Sequence, residues 1–194
     1  MKEEENGMDA YLTARAYERE AREQEKRGHL EAAIEQWKQY AEVKESKGSY
    51  FLCIFGYFNA ARLFDRLGRW KDAAECFEAA SRFAEKVGEF SLWVFFKNLT
   101  CQMYEKAGDY EACANCYESI GNFFSAMHNF FGAADAYEHA AEIMMLSGKD
   151  ISDYKAPMEA WRKNYEYWCS RGEQDDAEWS LKRMSSYRAT QNGT

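Results

Sequence analysis

Few residues in this chain have types and spacings that suit chemistry. Cys113-Ala114-Asn115-Cys116 is a CxxC. As a redox pair it would open a helix beside a strand, and as half of a zinc site it would need a second pair of ligands. Neither setting surrounds it. His128 and His139 stand too far apart for a zinc finger, and His29 is remote. Core thiols are the expected role of Cys113 and Cys116, with a metal- or redox-active protein as the alternative. No Ser or Cys is joined to a histidine by a catalytic phrase, and no Gly-rich phosphate-binding phrase occurs. The sequence therefore predicts no catalytic residue, no metal and no cofactor. A second set suits recognition rather than reaction: cations at Arg22, Lys26, Arg62, Arg66 and Lys106, and rings at Phe51, Phe55, Phe58 and Phe95.

The elements that must position these residues are set by glycines. Gly28, Gly48, Gly68, Gly88, Gly108 and Gly148 fall on a twenty-residue spacing, with His128 standing where one more is due. Between them run stretches of helical apolar period with almost no breaker, and Pro157 is the only proline. Helices of about 18 residues, each closed by a left-handed residue, give this pattern. Superposing the chain on itself at forty residues aligns small residues (Ala21, Ala61, Cys101, Ala141; then Ala33, Ala73, Cys113) and large ones (Tyr17, Tyr57, Lys97, Tyr137; then Trp37, Phe77, Tyr117). Small residues let helices approach and large ones fill the gap beside them, so one hairpin packs on the next. A strand would need an apolar period of two, which is absent. Two places blur the register. Gly121-x-Phe123-x-x-Ala126 offers a competing turn, so the break falls near Asn122 or near His128. Residues 149–157 read as a linker or a distorted first turn.

The phrase Gly-x-aromatic-x-x-Ala-x-x-x-aromatic resembles the tetratricopeptide repeat. Tyr57, Ala60, Ala61, Phe64, Gly68, Trp70, Ala73, Phe77 and Ala80 match one unit, and Tyr104, Gly108, Tyr110, Cys113 and Tyr117 part of the next. Such units run about 34 residues; at forty, this chain is similar to the longer-helix SNAP-type branch, the attachment proteins that bring an ATPase to membrane-fusion bundles. The stretch from Tyr117 to Ala126 has that flavour, although SNAPs are longer and act through a C-terminal region without a counterpart here. The resemblance implies an all-α right-handed superhelix of four antiparallel hairpins and a closing helix, about nine helices. One domain is expected at 9–188, between disordered ends at 1–8 and 189–194.

In arrays of this type the first helix of each hairpin lines the concave face. Equivalent offsets there give one row of Arg22, Arg62, Gln102 and Glu142, and a second of Lys26, Arg66, Lys106 and Leu146. Such cations suit an acidic peptide or a carboxylate, unless Glu18, Glu25, Asp65 and Glu105 neutralise them. The helices carrying Phe51, Phe55, Phe58 and Phe95 are apolar nearly all round. Those rings are either buried by a tight array or exposed for a partner helix. Together the two rows suit an amphipathic acidic segment. Trp161, Tyr165 and Trp168 form a stripe expected to dock on the preceding hairpin, or, if exposed, to join two copies.

Composition narrows the class. The net charge of -8 disfavours nucleic acid and anionic membranes. The start, Met1-Lys2-Glu3-Glu4-Glu5, is unlike a secretory leader, and no apolar run nears the roughly 20 residues that span a bilayer. Six cysteines then read as thiols of a cytoplasmic protein. The expectation is a non-enzymatic scaffold or adaptor binding a protein or peptide, with a SNAP-like attachment factor as the alternative. An acidic C-terminal end would favour that alternative; here it is mixed, Asp175, Asp176 and Glu178 preceding Lys182, Arg183 and Arg188.

Overall fold

The computed structural model describes residues 2–191, with side chains from Tyr11 onward. Nine helices and no strand occur among them: α1 (Lys2–Lys26), α2 (Leu30–Glu45), α3 (Tyr50–Arg66), α4 (Trp70–Lys86), α5 (Phe90–Lys106), α6 (Tyr110–Ala126), α7 (Phe130–Leu146), α8 (Ala156–Arg171) and α9 (Gln174–Gln191). The chain divides into two compact units, residues 1–107 with α1–α5 and residues 108–194 with α6–α9. Of the ends expected to be disordered, Met1 and residues 192–194 lie outside the described residues, as do the side chains of 2–10; the backbone of 2–8 and 189–191 is helical.

The hairpin turns follow one chemistry. At the end of α3 the Gly68 N–H donates to the Asp65 carbonyl (3.0 Å) and the Arg69 N–H to the Phe64 carbonyl (3.0 Å). This is a Schellman closure, which needs a left-handed residue between its two donors; Gly68 supplies it at φ 69°. At the end of α6 the same pair of bonds runs from His128 to Ser125 (3.1 Å) and from Asn129 to Phe124 (2.9 Å). The left-handed residue there is His128, at φ 57°, so of the two turn positions the sequence offers, the chain breaks at His128. A side chain at this φ is strained by about 1 kcal/mol. We expect His128→Gly to stabilise unit two by about 0.5–1 kcal/mol; an unchanged or lower thermal midpoint would contradict this.

Packing in the first unit bears out the aligned small residues. Ala21, Ala61, Cys101, Ala33 and Ala73 are fully buried, and Trp37 and Phe77 fill the space beside them. The closest approach is at Gly56 in α3, where a Cβ would lie 2.9 Å from the Ala41 Cβ and 3.0 Å from the Trp37 carbonyl oxygen. Lys97 replaces the tyrosine of its row and is only 13% exposed. Its ammonium sits 2.7 Å from a Glu78 carboxylate oxygen, tying α5 to α4.

In the second unit Gly121 lies inside α6, not at a turn. A Cβ there would lie 2.5 Å from the Tyr137 ring, whose hydroxyl donates to Asn122 Oδ1 at 2.7 Å. The competing Gly121 phrase is thus a helix–helix contact. Residues 149–155 form the non-helical connection to α8. Ile151 anchors it against Ala141 and Tyr187, and Pro157 sits in the first turn of α8, where its missing N–H costs nothing.

Candidate interaction surface

Apolar sequence on α3 and α5 exceeds what the core uses. Cys53, Ile54, Ala60, Ala61, Leu63 and Phe64 turn inward on α3. Phe51 remains 55% exposed and Phe55 37%, and on α5 Phe95 remains 49% exposed. Of the two fates open to these rings within the first unit, exposure holds. Leu12 on α1 and Leu52 on α3 are exposed as well. Two of the rings rest on other rings. Phe55 meets Trp37 edge-on at 5.3 Å and Tyr40 at 6.2 Å, and Phe95 meets Phe96 at 5.2 Å. Phe58 differs from this set. It is half-buried, 6.3 Å from Phe77 and 6.2 Å from Phe96, and works as core.

The cations come together at the C-terminal ends of α1, α3 and α5. Arg62 donates to Glu25 Oε1 at 2.7 Å and Arg66 to the same oxygen at 3.1 Å. Lys106 donates to Asp65 Oδ1 at 2.9 Å, and Arg22 to Glu18 at 2.9 and 3.1 Å. Neutralisation by Glu18, Glu25 and Asp65, weighed from the sequence, is therefore what the geometry shows. Two of these pairs, Glu25–Arg66 and Asp65–Lys106, span 41 residues and join α1 to α3 and α3 to α5. Pairs this exposed contribute about 0–1 kcal/mol each, so an incoming carboxylate can displace them. Lys26 makes no ion pair among the described residues. With Arg22, Glu25 and Arg66 it lines an open depression of about 540 Å³.

Other candidate groups are mostly buried. Cys113 and Cys116 are buried. Burial pushes the thiols of Cys76 and Cys53 up to about 11, so both stay protonated at neutral pH. Among the described residues no three His, Cys, Asp or Glu side chains are grouped to hold a metal ion. Trp161 of the α8 stripe is fully buried, as expected of a docked helix, while Tyr165 and Trp168 are half-buried.

Two features escaped the sequence. Glu138 of α7 accepts from Trp161 Nε1 at 2.7 Å and pairs with Arg183 of α9, so three helices meet at one carboxylate. Burial raises its carboxyl above the ordinary range, while the Trp161 and Arg183 donors pull it back. No repeat offset marks it, because its partners lie in the irregular C-terminal segment. The other is on α1, where Arg15 and Arg19 continue the line of Arg22 and Lys26; the two rows read at repeat offsets stop short of them.

No helix among the described residues is long and apolar enough to cross a membrane. No protein-family model matches the chain, and no curated protein sequence matches it. Solved structures similar to it include BtubC (BKLC) from P. vanneervenii, 16% identical over 95% of this chain and 93% of that one, with a TM-score of 0.32. A putative kinesin light chain from Podosopora anserina with nearly identical TPR-like repeats is 13% identical over 91% and 95%, at 0.41. MamA protein is 14% identical over 93% and 94%, at 0.30. The helix-by-helix packing within each unit, rather than these distant likenesses, is what makes the chain an all-α helical repeat.

Proposed function

We propose that the chain is a non-enzymatic, cytoplasmic protein-interaction scaffold that holds a partner segment on the exposed faces of α1, α3 and α5. The observation that carries this is the exposed set Phe51, Phe55 and Phe95, the last two resting on neighbouring rings, on helices whose opposite faces are already packed. Contiguous exposed apolar surface marks interaction sites in folded proteins. Its basic end, Arg22, Lys26, Arg62, Arg66 and Lys106, suits an acidic amphipathic segment whose carboxylates exchange with Glu25 and Asp65. The cysteines are present as thiols, five of them buried, which fits a reducing compartment. A SNAP-type attachment factor is the second reading; 17-residue helices from α3 to α7 support it, longer than a 34-residue unit accommodates.

Phe55→Ser with Phe95→Ser tests the first reading. Neither ring is core, so the double variant should keep its helical circular dichroism and lose at least about tenfold in affinity for any protein captured by the wild type, the value of roughly 1.4 kcal/mol of apolar contact. Capture of the same proteins by both forms would overturn it.

A further inference from the structure

The two units carry opposite charge at the same repeat offsets. On α1, Arg15, Arg19, Arg22 and Lys26 stand at i, i+4, i+7 and i+11, one stripe of a helix, and all four are exposed. Three forty-residue periods later, on α7, those offsets hold Asp135, His139, Glu142 and Leu146, again all exposed.

Both stripes have charge to spare. Arg15, Arg19 and Lys26 form no ion pair among the described residues; Arg15 lies only against the Tyr11 ring and hydroxyl. Arg22 alone is committed, to Glu18. On α7 the carboxylates of Asp135 and Glu142 reach only His139, at 3.9 and 3.2 Å. No Lys or Arg occurs anywhere in residues 108–148, so no cation of α6 or α7 answers them. Each stripe also has exposed apolar flanks: Tyr11 and Leu12 on α1, Phe131 and Leu146 on α7. The α1 stripe borders an open depression of about 470 Å³ lined by Leu12, Arg15, Ala16, Glu18, Arg19 and Arg22.

We propose that the chain associates with itself, the basic α1 stripe of one copy seated on the acidic α7 stripe of another. Matching i, i+4, i+7 spacing lets two guanidinium groups meet two carboxylates along a single pair of helices, while the apolar flanks exclude water around them. If both stripes of both copies engage, the contact is isologous and closes a two-fold pair; if each copy uses one stripe per neighbour, it is heterologous and extends from copy to copy. It uses neither Phe55 nor Phe95, and so stands whether or not those rings hold a guest.

Charge exchange tests it. In sedimentation at about 20 mM salt, the full chain should run at twice the 22.6 kDa monomer mass or more, and as monomer at about 0.5 M, where charges beyond a few ångströms are screened. Arg15→Glu with Arg22→Glu should be monomeric at low salt, and so should Asp135→Arg with Glu142→Arg. Mixing the two variants should restore association, because each then presents what the other lacks. A wild type that stays monomeric at low salt, a variant that still self-associates, or a mixture that does not recombine would overturn the proposal. Should either variant fail to fold, the salt dependence of the wild type decides it alone.

Discussion

Trp161→Ala should lower the stability of the second unit by about 3–5 kcal/mol, the usual cost of emptying a fully buried indole site. Trp161 is 1% exposed. It packs against Ala133, Ala134, Tyr137 and Ala160, and meets Phe131 at 5.7 Å and Trp179 at 5.2 Å. Its indole N–H also serves Glu138, so truncation leaves a largely buried carboxylate with Arg183 alone. Trp161→Phe separates the two effects, since it keeps most of the ring and removes the donor. It should cost about 1–2 kcal/mol and raise the Glu138 carboxyl further. An acid whose folded pKa lies above its unfolded value adds stability at low pH that is lost as pH rises through the folded value. The deficit of Trp161→Phe should therefore be smallest near pH ~3 and grow toward pH ~7. Thermal melts of both variants check this; a Phe variant whose deficit shrinks as pH rises would contradict it.

Gly56→Ala should lower the stability of the first unit by about 1–3 kcal/mol, against the ordinary direction of the substitution. At an open helical site Gly→Ala gains about 1 kcal/mol of helix propensity. At Gly56 the new methyl would lie 2.9 Å from Ala41 Cβ and 3.0 Å from the Trp37 carbonyl oxygen. Backbone cannot swing aside as a side chain does, so α2 and α3 must part, and Phe55, which rests on Trp37 and Tyr40, must shift with them. A raised melting temperature would show that the two helices do not approach so closely. Each kcal/mol is worth roughly 4–5 °C in a unit of this size.

Much of the fold was legible because one turn chemistry repeats. Seven left-handed residues, from Gly28 to His128 and Gly148, close helices at fixed spacing, and the small residues aligned by that spacing are those that become fully buried. The C-terminal segment was less legible. After Gly148 the period fails: α8 closes at Gly172, off the twenty-residue grid, and the Glu138–Trp161–Arg183 junction belongs to that irregular part. Gly121 misled in a different way. Read as a turn, it is a flat seat for Tyr137, and a glycine chosen for close approach looks the same in sequence as one chosen for φ.

The candidate surface was half legible. All-round apolarity of α3 and α5 pointed to Phe51, Phe55 and Phe95, but could not tell these from Phe58, which sits against Phe77 and Phe96. One-turn differences in side-chain direction decide that, and they depend on neighbouring helices. The cations were found by offset, and their acids were named. That Glu25 takes both Arg62 and Arg66 is a matter of geometry across 37 and 41 residues, beyond what a row of charges records.

Hydroxyl-radical footprinting of the phenylalanines, read residue by residue with and without a captured partner, tests the interaction surface most directly. In the free protein Phe51, Phe55 and Phe95 should oxidise readily while Phe64, Phe77, Phe83 and Phe96 stay protected, and partner should protect the first three. Equal protection of all seven in the free chain, or no change at Phe51, Phe55 and Phe95 in the complex, would contradict it.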